Sequence, residues 1–104
     1  VQQILASLIT TTKINDSSRL AGRVQENLYR SSKKINRNVK NLGVKEGPFY
    51  VLHGADMPSI LVEVGFLTNP KEAKMLAKSE YLYRLASSIA EGIHKYMKDK
   101  GPSI

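Results

Sequence analysis

The protein has 104 residues, of which 41% are hydrophobic and 24% are charged. This length allows a single domain, and the apolar fraction is too high for a disordered chain. Sixteen Lys and Arg residues against nine Asp and Glu residues give a net charge of +7, which favours polyanionic partners such as nucleic acid, an anionic membrane face or an anionic cell-wall polymer. The absence of cysteine excludes disulfides, thiolate zinc sites and a cysteine nucleophile. No apolar run approaches the roughly 18 residues of a membrane span.

The first third of the sequence predicts two helices. Apolar residues with helical spacing occur at Ile4, Leu5, Leu8 and Ile9. The pattern fades in residues 10–12, three threonines, where we expect a weakened helix end or a kink. Asn15-Asp16-Ser17 then predicts the N-cap of a second helix, which we expect to run to about Ser32. Because the sequence begins with Val1, we also expect it to be a piece of a longer polypeptide.

A basic stretch follows in residues 30–45, and its glycines favour a loop over most of its length. The cations are Arg30, Lys33, Lys34, Arg37, Lys40 and Lys45. A run of this kind is commonly a solvated surface, and it can also contact phosphates or carboxylates. Nucleic-acid binding is not expected, because Tyr29 is the one aromatic residue near these charges.

The second half of the sequence predicts two strands and two more helices. The strands are residues 49–52 and 59–64; the second is apolar almost throughout, which is typical of a strand covered on both faces in a parallel sheet. Asn69-Pro70 predicts the start of a helix over residues 71–77. Ser79 is expected to cap a last helix, which Gly101-Pro102 ends. Two strands and four helices make an incomplete α/β domain, so we expect a half-domain whose sheet needs further strands.

Glu63 is the strongest candidate for chemistry, because it lies in the middle of the apolar segment 60–66, where an unpaired carboxylate is costly to bury. One interpretation is a residue at a strand end that reaches solvent or pairs with a lysine. The other is a functional carboxylate at the carboxyl end of a central strand, where open α/β sheets place their sites. His53 could lie close to it, but a single histidine is weak evidence for a metal site.

The sequence resembles the C-terminal half of the zinc-dependent N-acetylmuramoyl-L-alanine amidases, the family called amidase 3. The residues that carry the resemblance are Phe49-Tyr50-Val51-Leu52, the segment from Met57-Pro58-Ser59 through Val62-Glu63-Val64-Gly65-Phe66-Leu67-Thr68-Asn69-Pro70, and then Glu72 and Leu76. It continues upstream in Ser17-Ser18-Arg19-Leu20-Ala21, in the loop at Gly43-Val44-Lys45, and in the last helix at Ala86, Ile89, Ala90 and Gly92. It therefore covers nearly the whole chain.

This resemblance implies an α/β fold with a mostly parallel sheet between helices, in which residues 1–104 form the C-terminal part of one catalytic domain. It implies one zinc ion, held by two histidines and a glutamate, that activates water to cleave the amide between N-acetylmuramic acid and L-alanine of peptidoglycan. Glu63 corresponds to the catalytic carboxylate. The family's zinc ligands lie upstream, in the N-terminal half, and neither His53 nor His94 matches them. We therefore expect no metal ligand in this chain, and no activity from the 104 residues alone.

The expected partners are peptidoglycan, an activator protein and the missing N-terminal half of the domain, in the periplasm or outside the cell. Arg37 and Lys40 are the candidate substrate-binding residues of the basic stretch. The alternative function is a non-catalytic module, or a remnant, that holds anionic cell-wall polymer through its basic face.

Overall fold

The protein is described by a computed structural model that covers residues 2–47, 52 and 54–101, and these residues contain three α-helices. Helix α1 is Gln2–Ile35, α2 is Pro70–Leu76 and α3 is Ser79–Lys100. The two long helices, α1 and α3, pack against each other, and the short α2 contacts α3. None of the described helices combines the length and apolarity that a membrane crossing requires.

The core forms where α1 and α3 come closest. Gly92 of α3 lies against the backbone of α1, so that a Cβ atom at this position would stand 2.6 Å from Val24 Cα. Val24, Leu28 and Leu85 are buried around this contact. The absence of a side chain at residue 92 therefore sets how closely the two helices approach.

Polar contacts also hold α1 to α3. The guanidinium of Arg23 donates to both carboxylate oxygens of Asp99, at 2.6 and 2.8 Å. The hydrogen bond from Arg23, together with the attraction between the two charges, holds the pKa of Asp99 below its ordinary value. Lys95 Nζ donates to the buried Asn27 Oδ1 at 2.9 Å. These bonds connect the middle of α1 to the C-terminal half of α3.

The two helices predicted for the first third of the sequence are one continuous helix, α1, so the predicted helix end near residues 10–12 and the second N-cap are wrong. Three threonines each cost at most about 0.7 kcal/mol relative to alanine, which a 34-residue helix can absorb. Asp16 and Ser17 have tertiary partners instead of capping a helix. Asp16 pairs with Arg19 and Lys100, and Ser17 accepts a hydrogen bond from the Ser59 N–H.

The two helices in the second half are confirmed, with one correction. Asn69 caps α2, because its side chain accepts from the backbone N–H groups of Lys71 and Glu72, and Pro70 is the first helical residue. Helix α3 ends at Lys100 and is followed by its C-cap residue Gly101, which has a φ of +75°. Ser79 is not the cap of α3: it is already helical, and Lys78 holds the N-cap position without a side-chain hydrogen bond.

The predicted α/β fold is wrong for the part of the chain that the structure describes, where three helices occur and no strand or sheet. Residues 59–64 lie in irregular chain without backbone pairing to another described segment. Of the other predicted strand, residues 49–51 lie outside the described residues, and Leu52 belongs to a 3₁₀ turn closed by the Ala55 N–H. An apolar, β-prone segment becomes a strand only when a neighbour accepts and donates its backbone hydrogen bonds.

Candidate active site

Glu63 lies on the outward side of residues 60–63, a segment whose side chains alternate between core and solvent. Ile60 and Val62 pack on the core formed by α1 and α3. Leu61, at 45% exposure, and Glu63 lie on the opposite side and are exposed. The segment is therefore covered on one face, not on both as predicted, and its carboxylate is presented to solvent.

The chain before Glu63 is fastened to α1. Ser59 N–H donates to the Ser17 hydroxyl at 2.9 Å, and Lys13 Nζ donates to the Ala55 carbonyl at 3.3 Å. These bonds join residues 42 positions apart in the sequence, so α1 holds the start of the Glu63 segment.

The chain after Glu63 is fastened to α2. Phe66 N–H donates to Glu72 Oε2 at 3.0 Å. Gly65 has a φ of +155°, and a Cβ at this position would meet Leu76 Cδ1 at 3.3 Å. Glycine permits both the backbone angle and the close approach of the α2 side chains. The backbone on the two sides of Glu63 is thus held by separate helices.

Arg37 and Lys40, the candidate substrate-binding residues, are exposed in the irregular segment 36–47 that follows α1. Gln25 Nε2 of α1 donates to Asn41 Oδ1 at 2.9 Å and holds this segment to the helix. Among the described residues, no hydrogen bond or ion pair joins Arg37 or Lys40 to Glu63.

The first part of the basic stretch is helical and not a loop, because α1 runs to Ile35. The last turns of α1 line a shallow depression of about 430 Å³. The lining residues are Glu26, Tyr29, Arg30, Lys33 and Lys34. One of the cations is paired, since Arg30 donates to Glu26 at 2.8 Å, and Lys33 lies 5.4 Å from the centre of the Tyr29 ring. The depression is a basic surface whose chemistry suits an anion.

The described residues contain no group of three His, Cys, Asp or Glu that could hold a metal ion. His94 is exposed on α3, and His53 lies outside the described residues. The donors in the described part of the chain therefore do not by themselves fit a zinc ion, which needs three protein ligands in a catalytic site.

Lys13, Ser17 and Glu72 hold the candidate site, and the sequence does not predict these contacts. It predicts a helix cap at Ser17 and indicates Glu72 only as part of the family motif. The signal for Glu72 was present in the spacing of Asn69 and Glu72, which is that of a capping box. The spacing does not show that the carboxylate reaches Phe66, because that contact depends on how the chain turns at Gly65.

Comparison with known proteins identifies the family of this chain. The family profile of N-acetylmuramoyl-L-alanine amidase matches residues 6–95. The chain therefore belongs to the N-acetylmuramoyl-L-alanine amidase family, and the predicted resemblance is confirmed.

Individual relatives agree with this assignment. The chain is 36% identical to the germination-specific N-acetylmuramoyl-L-alanine amidase of Bacillus subtilis over 86% of its own length and 36% of the relative. It is 32% identical to the N-acetylmuramoyl-L-alanine amidase AmiA of Escherichia coli over 92% of its length and 32% of the relative. It is 39% identical to AmiC of Neisseria meningitidis over 93% of its length and 22% of the relative. The chain thus spans about a third or less of these relatives, and no solved structure shows significant similarity to it.

Proposed function

We propose that these 104 residues belong to a peptidoglycan hydrolase that cleaves the amide between N-acetylmuramic acid and L-alanine of the stem peptide, with Glu63 as the catalytic carboxylate. The observation that carries the proposal is the placement of Glu63 in a chain of this family. Its carboxylate is exposed, on a segment whose inner face is packed and whose two ends are hydrogen-bonded to different helices. Such a support holds a reacting group in a fixed position while leaving it accessible to a substrate.

The proposed role of Glu63 is to move a proton. Hydrolysis breaks the C–N bond by adding water: the hydroxyl goes to the carbonyl carbon of the lactyl group, and a proton goes to the nitrogen of L-alanine. A carboxylate can accept the proton that the attacking water loses and deliver it to the leaving nitrogen. General acid–base catalysis of this kind typically contributes about 10²–10⁴-fold to the rate.

We further propose that residues 1–104 form the C-terminal part of the catalytic domain and that zinc is bound by ligands outside the described residues. When bound, the metal would polarise the carbonyl group and lower the pKa of a water molecule. The complete domain, meaning this chain together with the segment that carries those ligands, is then the active unit. Its proposed place of action is the periplasm or the outside of the cell, where peptidoglycan lies, and an activator protein is a proposed partner.

The test of the catalytic role is Glu63→Gln in the complete domain, with Glu80→Gln as the control. Glutamine keeps the size of the side chain but cannot carry the proton, so turnover of dye-labelled peptidoglycan should fall by about 10²–10⁴-fold. Zinc content should stay at the wild-type level, because Glu63 is proposed as a proton carrier and not as a ligand. Glu80 is exposed in the first turn of α3, so its substitution should leave turnover unchanged.

Two results would contradict this proposal. Full turnover by Glu63→Gln removes the catalytic role. Loss of zinc from the same preparation makes Glu63 a metal ligand.

The second candidate function is binding of anionic cell-wall polymer without cleavage. It is favoured by the exposed basic residues that follow one another from the end of α1 into segment 36–47, Arg30, Lys33, Lys34, Arg37 and Lys40. This function predicts retention on purified cell walls with no release of dye by the complete domain in the presence of zinc. Release of dye that a chelator abolishes supports the hydrolase instead.

A further inference from the structure

We propose that Glu72 is a positioning residue for Glu63, which acts by fixing the backbone immediately after the catalytic carboxylate. This inference rests on the proposed function of Glu63. It follows from the hydrogen bond that the Glu72 carboxylate accepts from the Phe66 N–H.

Three hydrogen bonds form a closed ring at the start of α2. Phe66 N–H donates to the Glu72 carboxylate at 3.0 Å. The Glu72 N–H donates to Asn69 Oδ1 at 3.2 Å, and the Asn69 N–H donates to the Phe66 carbonyl at 3.1 Å. The ring ties the backbone of Phe66 to the first turn of α2 through both its N–H and its carbonyl group.

The ring differs from a capping box in a way that points to the Glu63 segment. In a capping box the glutamate three residues after the N-cap accepts from the N-cap N–H. Here the N–H of Asn69 is already bonded to Phe66, and the Glu72 side chain extends to a residue six positions before it in the sequence. Helix α2 keeps its cap through Asn69 and Pro70 without this bond. The Glu72 carboxylate therefore holds the chain that leaves Glu63.

The same side chain also packs against the turn. A Cβ atom at Gly65 would lie 3.6 Å from Glu72 Cβ and 3.8 Å from Glu72 Cδ. Residues 65 and 66 are thus in contact with Glu72 through packing and through a charge-assisted hydrogen bond, the stronger type. Glu63 is two residues before this contact, so a change at Glu72 is passed directly along the backbone to the carboxylate that is proposed to react.

The test compares four variants of the complete domain: Glu72→Ala, Glu72→Gln, Glu63→Gln and the double variant Glu63→Gln/Glu72→Ala. Displacement of a reacting group by about 1 Å can cost 10²-fold. We therefore expect kcat of Glu72→Ala to fall by about 10–100-fold with little change in KM. Glu72→Gln keeps an acceptor oxygen and should retain kcat within roughly threefold, since neutral bonds are about half as strong.

The double variant separates positioning from general stability. If Glu72 acts through Glu63, removing it should slow the Glu63→Gln enzyme no further, because coupled residues are not additive. Exchange of the Phe66 amide hydrogen should be faster than wild type in Glu72→Ala and unchanged in Glu80→Ala, which removes an exposed glutamate of α3. If Glu72→Ala does not fold, kcat and KM are measured for Glu72→Asp instead. This variant keeps the charge, but its side chain is too short to reach Phe66, so the same fall in kcat is expected.

The positioning role is overturned if Glu72→Ala has wild-type kcat, or if its rate loss multiplies with that of Glu63→Gln. These outcomes differ from failure of the proposed function, in which Glu63→Gln itself retains full turnover.

Discussion

Gly92→Ala tests whether the close approach of α1 and α3 organises this molecule. The added Cβ would lie 2.6 Å from Val24 Cα, 3.0 Å from Val24 N and 3.1 Å from the Arg23 carbonyl oxygen. Carbon atoms pack at about 3.5–4.0 Å, so the helices must separate by roughly 1 Å. All three neighbours are backbone atoms, which cannot move aside as a flexible side chain can. The separation would loosen the packing around Val24, Leu28 and Leu85.

The expected magnitude is a difference between two effects. Overpacking costs typically about 1–3 kcal/mol, whereas replacing glycine by alanine within a helix gains about 1 kcal/mol. Because the obstruction is backbone, we take the upper end of the cost and expect a net loss of roughly 1–2 kcal/mol. For a complete domain of about 150–250 residues this corresponds to a fall in the unfolding temperature of roughly 2–8 °C.

The measurement is thermal unfolding of the complete domain, followed by far-UV circular dichroism. Gly22→Ala is a matched control, because Gly22 lies inside α1 and a Cβ there would have no atom within 4 Å. This control should raise the unfolding temperature through helix propensity alone, by up to about 1 kcal/mol of stability. An equal increase for both variants would refute the close contact at Gly92.

Two further predictions concern charge. Neutralising Arg37 and Lys40 together should weaken binding of the complete domain to peptidoglycan several-fold at low salt and little at about 1 M, where the screening length is about 3 Å. Equal affinity at both salt concentrations would make them solvated surface residues. Asp99→Asn should lower the unfolding temperature near neutral pH, because it weakens the paired hydrogen bonds from Arg23. Since the pKa of Asp99 is lowered in the folded state, its contribution is present above the ordinary carboxyl range and is lost as pH falls below that range and through the folded value. The unfolding temperatures of the variant and wild type should therefore converge in acid, and a constant difference across the pH range would contradict this.

The features that the sequence predicted well are those that depend on neighbours in the chain. Asn69 and Pro70 start α2, and Gly101 follows the end of α3, because capping and backbone freedom act over a few residues. Ser79, predicted as the cap of α3, is a local error. The other features predicted wrongly depend on distant partners. Ser17 has the chemistry of a cap, but in the folded chain it bonds to Ser59, 42 residues away. Residues 59–64 have the composition of a strand, but a sheet requires pairing that composition does not supply.

The candidate site also combines a feature that the sequence predicts with features that depend on distant contacts. Glu63 could be selected from the sequence because a carboxylate is unusual in an apolar segment, although the cost of burying it does not arise in the folded chain, where Glu63 is exposed. The side of the segment on which Glu63 lies could not be predicted from the sequence, because it depends on the packing of Ile60 and Val62 against the helices. The contact of Glu72 with Phe66 could not be predicted either, because it depends on the geometry of the turn at Gly65.

The alternation around Glu63 makes this segment intolerant of insertions and deletions. Between its two anchors, the Ser59 bond to Ser17 and the Phe66 bond to Glu72, the number of residues is fixed. Removing or adding one residue between Ser59 and Glu63 would exchange the inner and outer sides of the segment, placing Glu63 toward the core and an apolar side chain in solvent. Segment 36–47 has no such requirement, because its residues are nearly all exposed. Length variation among related sequences should therefore accumulate in segment 36–47 and be absent between residues 59 and 66.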